Sequence, residues 1–583
     1  MKVPEWIDGF GGWGVASSCL RRRFIASGAI PLTLPSQVII SALAHVVMVT
    51  YEICWPGDLQ MTIYSLNDRA YEGEENADVV IIGAGALGIT LAVTIARQGR
   101  RVILLEAGPR HPPVNFQKAN RGPTSGRTFT RMETGRMRAY GGTTRLWGGQ
   151  LVPFDVGDIE SVDENGKRLW PISYDEVSPW IDVAFDLLGV DAAARDRSAV
   201  YHQATGENGQ LGHGLQTMLT IWLRQPDFTR LFAKELEDSP LITVVTDAEV
   251  QRFEFADNGN LETLHIGNDA GRSLTIRPRT VVLAAGTMES VRQLLRAQAI
   301  SPNCPFRDNR NVGHWYLDHL NGTAGHVEIS DPKAFGRLFH MIFAGGRKYQ
   351  VKIVFADRRP LHSANISSMV LPPMTIREVV ADAQQLLRRV IGGQKSPITA
   401  VRDAVGIMST IVPFAWRYLI DRRAGLVNSN MRIGYEIEQM PVFDSYLYLD
   451  PTHPPETAPI GVHWHVGGRE METTSRFCEA LAAAFSDLKL GDVVISPPAS
   501  ADDPAFLDDF YNSGHYMGGA RMAESPEDGV VDRDCKVFGC SNLYLAGAMV
   551  FPTGSFANST LTAIALGQRL AAHLTVAHKD AGE

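Results

Sequence analysis

The stretch Asp78-Val79-Val80-Ile81-Ile82-Gly83-Ala84-Gly85-Ala86-Leu87-Gly88 contains the strongest fold signal in the chain. A short apolar run leads directly into the glycine pattern G-x-G-x-x-G, and a helical pattern follows. Eighteen residues after Gly88, a second apolar run, Arg101–Leu105, ends in Glu106. A strand, a glycine turn, a helix, a second strand and an acidic residue in this order predict a dinucleotide-binding βαβ unit.

Each part of this unit has a physical role. Gly83 and Gly85 let the backbone approach a pyrophosphate, and the helix that begins near Ala86 offers its positive N-terminal end to the phosphate charge. Glu106 is placed to accept a hydrogen bond from a ribose hydroxyl. An ordinary glycine-rich turn is the alternative structural interpretation, and a nicotinamide dehydrogenase that uses only this motif is an alternative function.

The composition limits the class of protein. The chain has 583 residues, which is long enough for two lobes, and 45% of them are hydrophobic. Its formal net charge is −9, and no basic run lies near the motifs. These features argue against nucleic acid as a partner.

The first sixty residues differ from the rest. They show no clear periodicity, and we expect residues 1–60 to be a non-native or disordered extension. The apolar run Val38–Tyr51 is too short for a membrane span and contains His45, so we expect none. Arg21-Arg22-Arg23 resembles a twin-arginine export signal, but no clear apolar core and cleavage site follow. The expected location is therefore cytoplasmic, with the periplasm as the alternative.

The sequence offers no metal site. The six cysteines form no C-x-x-C pair and no zinc spacing. Cys535 and Cys540 lie close enough in sequence to form a disulfide, although reduced thiols are the preferred interpretation. His463 and His465 share one face of a strand, but no acidic residue or cysteine lies within two positions to complete a ligand set.

Further elements follow from periodicity. We predict that Leu274–Ile276 pairs with the strand Val250–Phe255, and that the chain returns beside the first strand at Thr280–Gly286. The other predicted elements are helices within Trp170–Val190, Thr375–Ile391, Ser475–Leu488 and Thr560–Leu574, and strands at Leu241–Val245, Ser445–Leu449 and Asn542–Gly547.

Four separated segments together resemble the glucose–methanol–choline (GMC) family of FAD-dependent oxidoreductases. They are the glycine pattern with Glu106, Tyr140–Gly149, Ala284–Ser290 and the block His515–Leu574. The resemblance extends over residues 77–575 and is closest, by pattern, to the pyranose-oxidase branch. It implies an α/β fold with a Rossmann-like FAD-binding domain and a second, substrate-binding domain on a mixed or antiparallel sheet. The implied FAD-binding domain comprises residues 77–320 and 501–577, and the substrate-binding domain comprises residues 321–500.

The resemblance also assigns the flavin contacts. Gly141, Gly142 and Thr143 belong to a loop that lies along the flavin in the family, because side chains would collide with the ring there. Leu146 stands where some members of the branch attach the flavin through a histidine, so the resemblance implies non-covalent FAD. The remaining implied contacts are Trp147, Val250 (near the adenine), Gly547, Ala548, and Ser559 and Thr560 at the start of the last helix.

The implied catalytic pair is His515 and Asn558. His515-Tyr516-Met517-Gly518-Gly519 resembles the family's His-Pro-x-Gly segment, with Tyr516 in place of proline. By resemblance, His515 accepts the hydroxyl proton of an alcohol, and Asn558 orients the same oxygen. Imidazole suits this task because its free pKa is near neutral. A buried structural histidine and a helix-capping asparagine are the alternatives, and Asp318-His319 is interpreted as structural, with a position next to the substrate pocket as a further expectation.

The predicted function is FAD-dependent oxidation of a C–OH group to C=O. A sugar or glycoside is the favoured substrate by resemblance. The alternatives are a non-sugar alcohol, polyol or sterol, and a flavin-containing lyase without net redox chemistry. Oxygen, a quinone and a cytochrome are all compatible electron acceptors.

Overall fold

The computed structural model describes residues 62–68, 77–113, 117, 120–356, 366–371, 423–424, 430–468, 470–495 and 510–580. The predicted extension 1–60, the apolar run Val38–Tyr51 and the predicted helix Thr375–Ile391 lie outside these residues. Among the residues that are described, no helix combines the length and apolarity that crossing a bilayer requires.

A six-stranded parallel sheet forms the nucleotide-binding part of the fold. Each strand is short and, apart from the edge strand Ile63–Ser65, largely buried, as is usual for parallel sheets covered on both faces. The spatial order of the strands is Ile63–Ser65, Ile242–Thr246, Val102–Leu105, Val79–Ile82, Val281–Leu283 and Leu543–Leu545. The predicted return of the chain beside the first strand is therefore confirmed, and the C-terminal strand completes the same sheet.

Two long helices pack together beside this sheet. The first, Ala86–Arg97, follows the glycine turn, and the last, Ser559–Asp580, contacts it. Thr94 Oγ1 donates a hydrogen bond to Gln568 Oε1 at 2.8 Å across the contact. The predicted apolar face of the last helix is buried at Ala563, Leu566, Leu570 and Leu574.

One predicted strand pairing is wrong. Ser273–Ile276 does not pair with Glu249–Phe255, because the strand Leu261–Gly267 lies between them in a three-stranded antiparallel sheet. The sequence analysis overlooked this middle strand. Its pairing with Glu249–Phe255 is interrupted by register shifts at two places, Leu261/Thr263 and His265/Ile266. Such bulges break the alternation of apolar and polar residues on which strand prediction depends.

Within the described parts of the chain, the largest sheet has eleven strands, and its strand pairs are antiparallel. Its main path runs in the order Arg423–Ala424, Met341–Ala344, Arg347–Phe355, Ile366–Leu371, Asn430–Glu438, His319–Ile329 and Gly491–Ile495. Further strands join its sides: Gln150–Leu151, Gln210–Gly212, Leu215–Trp222 and Tyr511–Asn512. The sheet thus takes strands from both sides of the predicted range 321–500, so its limits do not coincide with those boundaries.

The remaining elements are short or lie outside these sheets. A three-stranded sheet contains Tyr446–Leu449, Ile460–Trp464 and Thr124–Gly126. The other α-helices of the described residues are Val156–Ile159, Tyr174–Leu187, Ala192–Arg195, Arg197–Thr205, Phe228–Leu231, Ala233–Asp238, Thr287–Ile300, Pro332–Phe339 and Glu470–Asp487. Of the predicted helices, those near 174–187, 475–487 and 560–574 are confirmed.

Candidate active site

A cavity of about 440 Å³ lies at the carboxyl edge of the parallel sheet. It extends from the glycine turn after Val79–Ile82 to His515 and Asn558. Because parallel strands end at the same edge, the residues that follow each strand meet there. The predicted residues that line the cavity are Gly83, Gly85, Ala86, Glu106, Gly142, Thr143, Trp147, Val250, His515, Gly547, Ala548, Asn558, Ser559 and Thr560.

The glycine turn shows two different uses of glycine. At Gly88, a Cβ atom would lie 1.8 Å from the carbonyl oxygen of Gly83, so the helix packs against the strand only without a side chain. At Gly85, a Cβ atom would meet nothing within 4 Å and would project into open space. Gly88 is therefore a packing residue that does not line the cavity, whereas Gly85 keeps space free on the cavity wall.

This open wall suits a pyrophosphate. The helix Ala86–Arg97 has no acidic residue in its first turn and no side-chain cap, so its N-terminal N–H groups are available. The helix end and the open space at Gly85 together form an anion site. The donors and the space therefore fit the phosphate part of a dinucleotide cofactor.

The loop at Gly141 and Gly142 is held against the glycine turn. Gly141 has φ of +95° and Gly142 has φ of +52°, conformations that favour glycine. Gly141 N donates to the Ala84 carbonyl at 2.9 Å. A Cβ atom on Gly142 would lie 2.9 Å from Gly85 Cα. Gly141 itself supports the loop from outside the cavity, whereas Gly142 lines it.

Glu106 is buried at the end of its strand. Its Oε2 accepts from Ala84 N at 3.0 Å, and its Oε1 accepts from Gly108 N at 2.8 Å. Burial raises the pKa of Glu106, and these two backbone donors oppose the shift. Each carboxylate oxygen has a second lone pair, so the side chain keeps the capacity to accept from a ribose hydroxyl.

A cluster of ion pairs lines the same cavity and was not predicted. Arg138 donates to Glu249 at 2.7 Å, and Arg292 donates to both Glu249 and Glu289 at 2.7 Å. The pKa of Glu289 is about 2: burial raises it, but Arg292, Arg138 and Gln293 together lower it by more. Arg138 and its acidic partners come from distant segments of the chain, and no local spacing reveals them.

His515 and Asn558 meet as predicted. Asn558 Nδ2 donates to His515 Nε2 at 3.0 Å, and both side chains line the cavity. Asn558 Oδ1 is buried and makes no hydrogen bond. Burial lowers the pKa of His515, although Glu436 and Asp318 oppose the shift. The imidazole is therefore neutral near pH 7, which is the state that a general base requires.

Tyr516, which stands in place of the family's proline, contacts the loop that contains Phe129 and Arg131. Its hydroxyl donates to the Arg131 carbonyl at 2.6 Å. Its ring stacks on Phe129, with centroids 6.1 Å apart. Its backbone carbonyl accepts from Thr287 Oγ1 at 2.6 Å. The substitution thus ties the segment that contains His515 to two other parts of the cavity wall.

Asp318 and His319 contact His515 directly, whereas the sequence analysis expected them only to be structural and next to the pocket. His319 Nδ1 lies 2.9 Å from His515 Nδ1, and the Asp318 carboxylate accepts from the backbone N–H of His515 at 2.9 Å. Near the histidines, the buried Lys352 forms an ion pair with Glu436, which is 19% exposed. The available sequence signal was the adjacent pair Asp318-His319, from which the sequence analysis inferred a structural role next to the pocket but no contact with His515.

Several other residues named in the sequence analysis make hydrogen bonds to neighbouring segments of the protein. Trp147 donates its indole N–H to the Pro226 carbonyl at 2.8 Å, and the Val250 carbonyl accepts from Gln293 Nε2 at 3.0 Å. His463 is hydrogen-bonded to Ser125 and does not line the cavity. The described residues contain no cluster of metal-binding side chains. Cys535 and Cys540 are buried free thiols, so the disulfide considered in the sequence analysis is absent.

Comparison with known proteins agrees with this arrangement. Residues 441–567 match the family model described as GMC oxidoreductase, and residues 78–112 match an FAD binding domain. The chain is a GMC oxidoreductase. The first match contains His515 and Asn558, and the second contains the glycine turn and Glu106. The protein is accordingly an FAD-dependent oxidoreductase.

Curated relatives resemble this GMC oxidoreductase over most of their length. The 2-methyl-1,2-propanediol dehydrogenase of Mycolicibacterium austroafricanum is 22% identical and aligns over 87% of this chain and 96% of its own. The fructose dehydrogenase large subunit of Gluconobacter japonicus is 22% identical and aligns over 85% and 97%. A shorter match, 33% identical over 115 residues, links the chain to the C-glycoside 3-oxidase of Microbacterium trichothecenolyticum and covers 19% of this chain and 20% of that protein.

Solved structures share the fold. Pyridoxine 4-oxidase from Mesorbium loti superposes with a TM-score of 0.51 at 15% identity, over 85% of this chain and 99% of its own. A formate oxidase variant from Aspergillus oryzae superposes with a TM-score of 0.51 at 18% identity, over 86% and 99%. At these identities the likeness establishes the fold of the GMC oxidoreductase and leaves its substrate to be argued from the site.

Proposed function

We propose that this GMC oxidoreductase oxidises a C–OH group of a sugar or glycoside to C=O, with His515 as the base. One observation carries the proposal: the Nε2 atom of a neutral, buried His515 and the Asn558 amide meet in the cavity that begins at the pyrophosphate site. Bound FAD supplies the acceptor for the two electrons that leave as hydride. The reduced FAD then needs a second electron acceptor to return to its oxidised state.

The protein's own groups handle the proton. His515 Nε2 accepts it from the substrate hydroxyl, and that oxygen takes the place of Nε2 as the acceptor of the Asn558 N–H. Asn558 then stabilises the negative charge that develops on the oxygen, because a hydrogen-bond donor held in place in a buried site stabilises such charge strongly. Non-covalent attachment of FAD is part of the proposal, because Leu146 offers no nucleophile and is 49% exposed.

Two similarities support a sugar. The fructose dehydrogenase subunit aligns over nearly its whole length, and the C-glycoside 3-oxidase shares a local match at higher identity. The diol dehydrogenase aligns equally well and supports the alternative, a small aliphatic diol. Anaerobic mixing of the holoenzyme with sugars, glycosides, diols and sterols, followed by loss of flavin absorbance, distinguishes these classes. Bleaching by diols alone would replace the sugar assignment, and bleaching by no alcohol would favour a lyase.

The role of His515 has a direct test. His515→Ala should slow anaerobic flavin reduction by roughly 10²–10⁴ while FAD stays bound, because a positioned general base contributes about that much. His463→Ala is the matched control, since His463 does not line the cavity. Reduction of the His515→Ala flavin at the wild-type rate would remove His515 from the mechanism.

A further inference from the structure

Asp318 is surrounded by hydrogen-bond donors. Its Oδ1 accepts from His319 N at 2.8 Å, Ser513 Oγ at 2.8 Å and His515 N at 2.9 Å. Its Oδ2 accepts from Asn512 Nδ2 at 3.3 Å and Gly514 N at 3.2 Å. A protonated carboxyl would turn one oxygen into a donor, but four of these five neighbours are N–H groups that can only donate, and both oxygens face such groups. Although burial raises the pKa of Asp318, these donors and His515 stabilise the carboxylate.

The carboxylate fixes the direction of the next hydrogen bond. A carboxylate only accepts, so the single hydroxyl hydrogen of Ser513 must point to Asp318. Ser513 Oγ then has only lone pairs to offer His515 Nδ1, which lies 2.9 Å away. His515 Nδ1 must therefore carry the proton. The other ring nitrogen, Nε2, keeps its lone pair facing Asn558 and the cavity.

His319 completes the assignment. Its Nδ1 lies 2.9 Å from the same protonated Nδ1 of His515 and so must accept. A neutral His319 then has its hydrogen on Nε2, which is buried without a hydrogen bond of normal geometry, although the Gly554 backbone lies near it. Burial lowers the pKa of His319 to about 3, so the ring stays neutral and able to accept.

We propose that Asp318 and Ser513 are positioning residues that hold His515 in the tautomer with its proton on Nδ1, and that His319 shares this proton. The inference rests on the proposed function, in which His515 Nε2 receives the substrate's proton. The charged groups that face His515 are Asp318, Glu436, Lys352 and Arg131. Of these, Asp318 is the one that Ser513 connects to the ring, and its negative charge stabilises the imidazolium that forms.

The tautomer can be measured without turnover. In oxidised holoenzyme labelled with ¹⁵N-histidine, the two ring nitrogens of His515, assigned by comparison with His515→Gln, should differ. Nδ1 should show the signal of a protonated nitrogen and Nε2 that of an unprotonated one. A protonated Nε2 in the wild-type holoenzyme would overturn the inference, whatever any variant does.

Two Ser513 variants connect the tautomer to the rate. Ser513→Ala removes the acceptor, so we expect flavin reduction about 3- to 10-fold slower, the equivalent of one hydrogen bond, with KM within about twofold. The ¹⁵N signal of Nε2 should shift towards the protonated value. Ser513→Thr keeps the hydroxyl and should recover both the rate and the signal. Ser541→Ala, at an exposed serine bonded to Asn260, is the control.

The outcomes separate the two claims. Slow reduction in His515→Ala together with an unchanged signal and rate in Ser513→Ala would refute the positioning role and leave the proposed function standing. Fast reduction in His515→Ala would refute the proposed function, while the ¹⁵N assignment would still report whether Ser513 sets the tautomer. Slow reduction in Ser513→Ala with an unchanged tautomer would show a structural effect and would also refute the inference.

Discussion

At the residue scale, the proposed chemistry depends on two uncharged side chains, those of His515 and Asn558. His515 is neutral because burial outweighs the neighbouring carboxylates, and Asn558 is a donor that brings no charge of its own. The sequence analysis found both residues, since the family resemblance marks their segments. It did not find Asp318 and His319 as partners, because they are nearly two hundred residues away from His515 and only the fold brings them within 2.9 Å.

Asn558→Asp should move the pH dependence of the reaction. The change places a carboxylate about 3 Å from His515 Nε2. A nearby opposite charge favours the imidazolium, so the pKa of His515 rises by about one to three units. Because the neutral ring is the base, activity should be lost at a higher pH than in the wild type. The acidic limb of kcat/KM against pH measures this shift.

Asn558→Ala serves as the control, since it removes the same hydrogen bond without adding charge. Its acidic limb should not move upward, although its rate should fall. If both variants gave the same pH profile, the carboxylate would not be acting on His515, and Asn558 would have to be oriented differently.

At the element scale, the βαβ unit was predictable because its signal is local. The strand, the turn, the helix and Glu106 lie within about thirty residues, and each follows from residue type and periodicity. The strand Leu261–Gly267 was not predictable in the same way. Its two register shifts interrupt the regular alternation of inward-facing and outward-facing side chains. Its position in the sheet is decided by pairing with the strands on both sides.

Gly85→Ala and Gly88→Ala should affect different properties: the first FAD binding, the second the stability of the fold. Gly85→Ala adds a methyl group to open space on the cavity wall, so the protein should fold normally and bind FAD at least tenfold more weakly, about 1.4 kcal/mol. Gly88→Ala forces a carbon against the Gly83 carbonyl and should destabilise the fold by about 1–3 kcal/mol. FAD titration and thermal unfolding of each apoprotein measure the two effects. Equal effects of the two changes on folding would contradict this division of roles.

At the scale of the whole molecule, the active site lies where the large antiparallel sheet meets the C-terminal segment. Lys352 and Glu436 come from two strands of that sheet, and Lys352 Nζ lies 6.0 Å from the centre of the Phe556 ring, two residues before Asn558. Lys352 and Glu436 also act electrostatically on both histidines. The electrostatic surroundings of His515 and His319 are therefore set by residues that are far from both histidines in the sequence.

Lys352→Met should destabilise the protein by up to about 3–5 kcal/mol at neutral pH, because it leaves the Glu436 carboxylate, which is only 19% exposed, without its cation. The double variant Lys352→Met/Glu436→Gln should recover much of this loss. The difference in unfolding midpoint between the wild type and each variant measures both effects. A double variant as unstable as the single one would show that packing, and not charge, is responsible.

The same pair predicts how stability depends on pH. The pKa of Glu436 is about 2: burial raises it, but Lys352, His515 and His319 together lower it by more. Its folded-state pKa thus lies below its unfolded value, so its contribution is complete above pH 4.5 and is lost as the pH falls towards 2. Unfolding curves of the wild type and Lys352→Met should therefore converge over this interval. A constant difference down to pH 2 would contradict the assignment.

The sequence by itself determined the nucleotide-binding unit, the family and the pairing of His515 with Asn558, because short-range periodicity, glycine spacing and recognisable segments encode them. The tertiary structure decided the partners of that pair, the acidic and basic residues around the cofactor cavity, and the strands that build the large sheet. Hydrogen bonds and ion pairs between distant segments depend on distances of about 3 Å, and no pattern along the chain specifies such distances until the sheets have formed.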